Sequence, residues 1–427
     1  MEKITVNPAR RAAFASLCKM RAGKYANIEV DVTLRRTSLS EADRRLYTAL
    51  VYGVIERLLT LDYVIETLSI RPMGELQEEV LCALRMGLYQ LRYLDRIPAH
   101  AAVDESVELA PRKARGFVNG VLRSYQRAYG DGQALPLPKE ALRRLSVTYS
   151  IPSALCSAFV EWYGADTAEH IFQAFFRHLP TNLRLNTLRH TDAAAFGAAT
   201  ELCAACFAAE DSAAMLYGIE NGDWFVQDAA SALCARAVGA LPGETVIDVC
   251  AAPGGKSFSM AMDMENRGKL YAFDLHENKL SLIEKGAKKL GIGIITTGAR
   301  DARTPAEDLI GKADRVLCDA PCSGLGVIGK KPDIKYKDLG SVKRLPQVQY
   351  AVLCGAAEYV RSGGTLVYST CTLNPAENGG VTEQFLAAHP EFVPEPFAVG
   401  DAIQSAHTLF PHIHGTDGFY ICKMRRL

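Results

Sequence analysis

Two cysteines stand where apolar runs end, and each is followed by small or turn-forming residues. Cys371 lies in YSTCTLNPAEN, and Cys322 lies in DAPCSGLG. A cysteine thiolate is a strong nucleophile near neutral pH, and the thiol can leave again when a covalent intermediate breaks down. The pattern predicts a covalent reaction site at two strand ends. These residues by themselves do not decide which cysteine attacks.

A second candidate site is the loop VCAAPGGKS, which joins an apolar run to a helical segment. Gly254 and Gly255 allow a ligand to approach the backbone closely, and the helix start offers free N–H groups to an anion. The spacing fits neither G-x-G-x-x-G nor a P-loop, which disfavours a nicotinamide cofactor or a triphosphate. Asp274 ends the next apolar run, where a carboxylate typically binds the ribose of an adenosine-bearing cofactor.

Alternating strands and helices position these residues from about residue 226 onward. Apolar runs predict strands at 245–250, 269–275, 315–321 and 364–371, with amphipathic helices between them. This alternation predicts a doubly wound, mostly parallel sheet of Rossmann-like α/β type. Ligands of such sheets bind outside the carboxyl ends of the strands, so both cysteines and the glycine-rich loop should border one cleft.

The rest of the chain divides by pattern into three parts. Residues 1–130 show apolar positions at three- and four-residue spacing, which predicts an all-α bundle. Residues 131–145 begin with a Gly- and Pro-rich stretch and read as a linker. The pattern over residues 146–225 predicts a small α+β subdomain, in which ELCAACFAAE resembles a helix. Residues 226–427 then form the catalytic domain.

Composition sets the broad class. The chain has 427 residues, 12 scattered cysteines and no net charge. We expect reduced thiols, and we expect no metal site because Cys203 and Cys206 form a lone C-x-x-C pair. No apolar run is long enough to cross a membrane, and the N-terminus does not resemble a secretory signal, so we expect a cytoplasmic protein. Residues 1–150 are net basic, which is compatible with a polyanionic partner.

Several segments resemble the motif series of the S-adenosylmethionine-dependent RNA cytosine-5 methyltransferases. They are LPGETVIDVCAAPGGKS, FDLHENKL, DAPCSGLGVIGKKPDIKYK and GGTLVYSTCTLNPAEN, with QDAAS upstream and GTDGFYICKMRR at the end. The N-terminal part is similar to the NusB family of RNA-binding bundles, as in LYTALVYGVIERLLTLDYVI and GFVNGVLR. The resemblance implies a NusB-like domain fused to a methyltransferase that uses S-adenosylmethionine and acts on small-subunit (16S) ribosomal RNA.

The resemblance also assigns roles to residues. It implies a cofactor loop formed by Cys250, Ala251, Ala252, Pro253, Gly254, Gly255 and Lys256. Asp274 would bind the ribose hydroxyls, Asp301 would lie near the adenine, and Asp319 would lie between cofactor and target base. A Pro-Cys motif like that of Cys322 carries the nucleophile in DNA cytosine-5 methyltransferases. The RNA family uses the Thr-Cys pair instead, which makes Cys371 the nucleophile and Cys322 the residue that assists release.

RNA contacts are expected at five positions. Lys330, Lys331 and Lys335 follow the Cys322 motif. Arg184 and Asn186 lie in NLRLNT, which resembles an RNA-facing segment of the family and implies that the subdomain at 146–225 binds RNA. Basic side chains there would contact phosphates. The chain departs from the family at GKKPD, where Gly329 occupies the position of a frequent arginine, and lysine does not reproduce bidentate arginine contacts. We expect a monomer that acts on naked or partly assembled ribosomal RNA without a metal.

Three alternatives remain open at this stage. A tRNA cytosine-5 methyltransferase would use the same catalytic residues, and only the NusB-like domain favours ribosomal RNA. A non-catalytic RNA-binding factor could retain the fold, although intact Cys371, Cys322 and Asp319 argue against it. A nicotinamide-dependent oxidoreductase is disfavoured by the spacing of the glycine-rich loop.

Overall fold

The computed structural model describes residues 6–20, 26–130, 133–177, 180–193, 195–209 and 212–427. The chain forms two compact units. The first comprises Met1–Gln173 together with Lys330–Tyr336, and the second comprises Ala174–Gly329 and Lys337–Leu427. The short segment that follows the Cys322 motif therefore packs with the helical unit.

Helices build the first unit. They are α1 (Pro8–Met20), α2 (Ala26–Arg36), α3 (Glu41–Glu56), α4 (Leu58–Leu68), α5 (Glu78–Tyr93), α6 (Ala99–Leu109), α7 (Arg115–Tyr129), α8 (Ala141–Tyr149), α9 (Ser153–Tyr163) and α10 (Ala165–Ala174). Helix α3 begins after Ser40, whose Oγ accepts a hydrogen bond from the main-chain N–H of Asp43 at 3.2 Å. The apolar stripes meet in a core that includes Leu50, Leu84 and Leu122, and the predicted bundle is confirmed.

Strands and helices alternate through the second unit. Its first part contains β1 (Asn182–Leu185), β2 (Ala199–Thr200), β3 (Cys203–Ala208), α11 (Ser212–Asn221), β4 (Trp224–Val226), α12 (Ala229–Val238), β5 (Thr245–Asp248), α13 (Gly255–Asp263), β6 (Lys269–Asp274), α14 (Glu277–Leu290) and β7 (Ile295–Ala299). Its second part contains β8 (Ala313–Asp319), α15 (Leu339–Val342), α16 (Leu345–Tyr359), β9 (Val360–Thr370), α17 (Gly379–Ala388), β10 (Phe392–Pro394), β11 (Phe397–Val399), β12 (Ala402–Gln404), β13 (Ala406–Leu409), α18 (Pro411–His414) and β14 (Phe419–Arg426).

The large sheet has the strand order β10-β14-β9-β8-β5-β6-β7, and β13 also pairs with β14. Strands β9, β8, β5, β6 and β7 run parallel, whereas β14 is antiparallel to β9. Val246 and Ile247 are adjacent in β5, yet they pack into different apolar clusters. Both faces of the central strand are therefore covered, as in doubly wound sheets, and the predicted fold class is confirmed.

A smaller sheet corrects one sequence expectation. The segment ELCAACFAAE, expected to be helical, contains β3, which pairs with β1 in a four-stranded antiparallel sheet of order β2-β3-β1-β4. Cys203, Cys206 and Phe207 are buried there. Alanine has the highest helix propensity of the residues, but propensity is a small local preference. Strand pairing with β1 and burial of these side chains outweigh it.

The domain boundaries stay a prediction. The division between the two units falls at residue 173, inside the region 146–225 that the sequence predicts as one subdomain. Helix α8 begins inside the predicted linker, and residues 131 and 132 of that linker lie outside the described residues. Within the described ranges no helix is both long and apolar enough to cross a membrane, and no cluster of His, Cys, Asp or Glu suits a metal ion.

Candidate active site

Four strand ends meet at one edge of the large sheet. Strand β5 ends at Asp248, β6 at Asp274, β8 at Asp319 and β9 at Thr370. Because these strands are parallel, their carboxyl ends share an edge, which is where ligands of such sheets bind. The structure thus brings together the glycine-rich loop, the acidic residues and both cysteine motifs.

The turn between β5 and α13 requires glycine at position 254. Gly254 has a φ of +112°, and a Cβ atom there would lie 2.5 Å from the ring of Phe258. Helix α13 starts at the next residue, so its first N–H groups face the edge of the sheet. The backbone is thereby open to a close ligand that accepts hydrogen bonds.

Asp248 stabilises this turn through hydrogen bonds, a role that was not predicted from the sequence. It is 1% exposed, and its Oδ2 accepts a hydrogen bond from Ser257 Oγ at 2.7 Å. Its Oδ1 accepts a longer one from the main-chain N–H of Cys250. Burial raises the pKa of Asp248 to about 7. The position of this aspartate at the end of TVID was the available signal.

Asp274 and Asp301 occupy neighbouring strand ends in different environments. Asp274 is 7% exposed, and its Oδ2 accepts a hydrogen bond from the main-chain N–H of Ala252, which links it to the glycine-rich loop. Asp301 follows β7 and is partly exposed. An ion pair with Arg303 lowers the pKa of Asp301 to about 2. Asp274 is thus hydrogen-bonded to the glycine-rich loop, whereas Asp301 is paired with Arg303 after the neighbouring strand.

Asp319 is held by two partners. Its Oδ2 accepts a hydrogen bond from Lys256 Nζ at 2.6 Å, and its Oδ1 accepts one from Ser369 Oγ at 2.7 Å. Burial by itself would lower the pKa of Lys256, but the Asp319 carboxylate outweighs burial and raises that pKa above its ordinary value. The lysine therefore stays charged and fixes one carboxylate oxygen, which joins the cofactor loop to the Cys322 motif.

The two cysteines are in contact. Cys322 Sγ lies 3.3 Å from Cys371 Sγ, and both residues are half-buried free thiols. Contact with Cys371, together with burial, raises the pKa of Cys322 well above its ordinary value. Cys322 is therefore a neutral thiol that can donate its S–H hydrogen to Cys371. Asp319 also contributes to the raised pKa of Cys322, and Cys371 contributes to the raised pKa of Lys256, so these groups lie near one another.

Loops from distant parts of the chain close around this pair. The main-chain N–H of Gly326 donates to Cys371 O at 3.1 Å, and that of Gly418 donates to Gly326 O at 2.9 Å. A Cβ atom on Gly326 would lie 1.9 Å from Gly418 O. Thr416 Oγ1 in turn donates to Asp228 Oδ1 at 2.5 Å. The GTDG and QDAAS segments, which were noted only for their resemblance, thus support the Cys371 loop.

Three of the five expected RNA contacts are interior residues. Arg184 is 4% exposed, with Nη2 donating to Asp263 Oδ1 at 2.9 Å. Asn186 is fully buried, and its Nδ2 donates to two main-chain oxygens. Lys335 is 2% exposed, and its Nζ donates to Glu56 O at 2.6 Å. All three side chains are held by hydrogen bonds inside the protein, and their contacts with RNA stay predictions.

The other two expected RNA contacts lie at the surface of the protein. Lys330 and Lys331 are exposed, and they directly precede the segment in which Lys335 is buried. Burial lowers the pKa of Lys335 to about 7. The sequence did not distinguish the exposed Lys330 and Lys331 from the buried Lys335, because the burial of Lys335 depends on its contact with Glu56 of α3.

Two family models match separate parts of the chain, and a relative matches its whole length. The NusB family model matches residues 7–127, and the model of the 16S rRNA methyltransferases RsmB/F matches residues 237–425. A probable ribosomal RNA small subunit methyltransferase B of Bacillus subtilis is 37% identical, covering 100% of both chains. The chain belongs to the RsmB/F family of 16S rRNA methyltransferases.

A second relative agrees with the RsmB/F assignment, and a solved structure has the same fold over the whole chain. A probable ribosomal RNA small subunit methyltransferase B of Synechocystis is 36% identical over 98% of this chain and 99% of that protein. The crystal structure of PH0851 superimposes with a TM-score of 0.80 at 25% identity, covering 100% of both chains. The predicted order, a NusB-like bundle followed by a methyltransferase domain, is confirmed.

The site fits the cofactor of an RsmB/F methyltransferase, S-adenosylmethionine, and this expectation is confirmed. Gly254 leaves room for a close ligand, and the start of α13 presents free N–H groups. Asp274 stands at the end of β6, where a ribose would lie. The individual assignments of Cys250 to Lys256, Asp274, Asp301 and Asp319 to parts of that cofactor stay predictions.

Proposed function

We propose that the protein transfers a methyl group from S-adenosylmethionine to carbon 5 of a cytosine in 16S ribosomal RNA, with Cys371 as the nucleophile. The observation that carries this proposal is the contact between Cys322 Sγ and Cys371 Sγ beside the Asp319–Lys256 pair. Two cysteine thiols in contact suit a reaction in which one thiolate first adds to a base and then leaves, with the second thiol beside it.

Cytosine requires covalent activation because its carbon 5 is a weak nucleophile. Addition of the Cys371 thiolate to carbon 6 forms an S–C bond and makes carbon 5 electron-rich. The cofactor supplies an electrophilic methyl group. Loss of the carbon 5 proton and cleavage of the S–C bond then restore the ring. The neutral Cys322 thiol, in contact with Cys371, is suited to assist the second half of this sequence.

Asp319 would orient the base. Negative charge develops at ring nitrogen N3 during addition. A protonated carboxyl group that donates its proton to N3, or a carboxylate that accepts a hydrogen bond from the 4-amino group, favours that step. Lys256 and Ser369 hold both oxygens of Asp319 in place, so the group is fixed before the base arrives. A base in a folded RNA must leave its stack to reach such a cleft.

Ribosomal RNA is proposed over tRNA because the named relatives are small-subunit rRNA methyltransferases. Lys330 and Lys331 are proposed as phosphate contacts, since both are exposed basic side chains. A cytoplasmic location, a monomeric state and the choice between naked and partly assembled rRNA stay predictions of the sequence.

Labelled methyl transfer tests the proposal. The protein is incubated with methyl-labelled S-adenosylmethionine and either naked 16S rRNA, precursor small-subunit particles or tRNA. We expect 5-methylcytosine at a defined position of 16S rRNA in one of the two ribosomal substrates. Label confined to tRNA would replace the proposed substrate, and absence of label in all three would favour the non-catalytic alternative.

A further inference from the structure

Glu377 is a buried carboxylate between the two cysteine-bearing loops. It is 0% exposed and ends the short turn Pro375–Glu377. Its Oε2 accepts hydrogen bonds from the main-chain N–H of Ser323 and from Gln349 Nε2, both at 2.8 Å. Its Oε1 accepts hydrogen bonds from Ser323 Oγ at 2.6 Å and from Asn374 Nδ2 at 3.0 Å. All four donors are uncharged.

These donors flank both cysteines. Ser323 directly follows Cys322, and Gln349 Nε2 also donates to Pro321 O at 3.0 Å, so both neighbours of Cys322 are tied to Glu377 or its partner. On the other loop, Thr372 directly follows Cys371, and its hydroxyl lies 2.7 Å from Ser323 Oγ. One carboxylate therefore connects the two backbones that carry the thiols.

We propose that Glu377 is a positioning residue that holds the Cys322 thiol against the Cys371 thiol. Cys322 and Cys371 lie just beyond the ends of two paired strands, and the hydrogen bonds of Glu377 to both loops hold the sulfur atoms 3.3 Å apart there. A carboxylate suits this task because both of its oxygens accept hydrogen bonds. Each of the four donors is buried, so each loses a partner when the carboxylate is removed.

The consequence for turnover rests on the proposed function. If Cys322 assists release of the methylated base, its displacement from Cys371 slows the second half of the reaction and leaves the first half less affected. Loss of Glu377 should therefore slow product release more than methyl transfer. The effect on the distance between the thiols does not depend on any reaction.

Glu377→Gln is the informative variant. One of its oxygens becomes an NH₂ group that faces N–H donors, while the size and shape of the side chain are kept. A bis-alkylating reagent that bridges neighbouring thiols is added without RNA, and peptide mapping measures the Cys322–Cys371 bridge. We expect the bridge yield to fall by about tenfold relative to the parent, in line with the loss of a buried hydrogen bond. Cys322→Ser gives the background.

Turnover is measured on the same variant. We expect kcat to fall by about tenfold with the KM for S-adenosylmethionine within about twofold of the parent, and a denaturant-stable RNA adduct to accumulate. Ser323→Ala, which removes only the hydroxyl donor, should change both readouts in the same direction by less. It serves as the test if Glu377→Gln does not fold.

The outcomes separate the two proposals. A parental bridge yield in folded Glu377→Gln, or in Ser323→Ala where Glu377→Gln fails to fold, overturns the positioning role. A reduced bridge yield in a protein whose parent methylates no RNA supports the positioning role and rejects the proposed function. A reduced yield with adduct accumulation supports both.

Discussion

Cys322 Sγ lies 3.3 Å from Cys371 Sγ although 49 positions separate the two residues in the chain. The contact follows from the sheet, because β8 and β9 are parallel neighbours whose register pairs Asp319 with Ser369. Each cysteine stands two or three residues beyond that pair. The contact with Cys371, together with burial, raises the pKa of Cys322 well above its ordinary value.

Removing each thiol should have opposite effects on the RNA adduct. Cys371→Ala should form no covalent adduct and transfer no methyl group, because the nucleophile is absent. Cys322→Ala should form an adduct that persists in denaturant, because the residue that assists release is absent. Gel electrophoresis of labelled RNA under denaturing conditions distinguishes the two variants. The reverse pattern would assign the nucleophile to Cys322.

Asp319→Asn should slow methyl transfer strongly. The substitution removes the carboxylate that Lys256 and Ser369 hold toward the base. We expect kcat to fall by about 10²- to 10⁴-fold, the range typical of a positioned acid or base. Single-turnover kinetics measure the step directly. Unchanged kcat in a protein that binds S-adenosylmethionine normally would exclude Asp319 from the chemistry.

Asp274 and Asp301 should differ in their effect on cofactor affinity. Asp274→Ala should raise the Kd for S-adenosylmethionine by about 10- to 100-fold, since hydrogen bonds to a charged group contribute about 1.5–3 kcal/mol. Asp301→Ala is the matched control, because that carboxylate is more exposed and already paired with Arg303. Its Kd should change less. Titration calorimetry measures both, and equal effects would contradict the assignment of the ribose contact to Asp274.

Asp248 should make stability depend on pH. Burial raises its pKa to about 7, so the folded protein binds this proton more tightly than the unfolded chain does. The resulting stabilisation is fully present in acid, below the unfolded-state pKa, and is lost as the pH rises through about 7. Relative to Asp248→Asn, the parent should gain on the order of 3 kcal/mol between about pH 8 and about pH 5. Denaturant unfolding at both pH values measures this difference, and a constant difference would contradict it.

Lys331 and Lys335 should behave differently in RNA binding. Lys331→Ala removes an exposed charge and should reduce the slope of log K against log salt concentration by about one. Lys335→Met removes a side chain that is 2% exposed and should leave that slope unchanged. Filter binding to 16S rRNA over a range of salt concentrations compares them. An equal loss of slope would show that Lys335 becomes exposed when RNA binds.

Much of the fold follows from local pattern. The three- and four-residue spacing of apolar side chains predicted the helical bundle, and the alternation of apolar runs with amphipathic helices predicted the parallel sheet. Strand β3 was not predicted, because its alanines favour a helix locally, whereas pairing with β1 makes the segment a strand. The burial of Lys335, Arg184 and Asn186 was not predicted, because charge and spacing along the chain do not show which side chains are buried.

The amino-acid sequence alone determined which residues are chemically competent: two cysteines, a glycine-rich loop and aspartates at predicted strand ends. Only the tertiary structure decided how they meet. Strand order and register bring Cys322 to Cys371 and Ser369 to Asp319, and Glu377 accepts hydrogen bonds from both cysteine loops. Such contacts join residues far apart in the chain, so they depend on the pairing of β8 with β9. They also depend on buried polar side chains, which must find hydrogen-bond partners within the protein because water does not reach them.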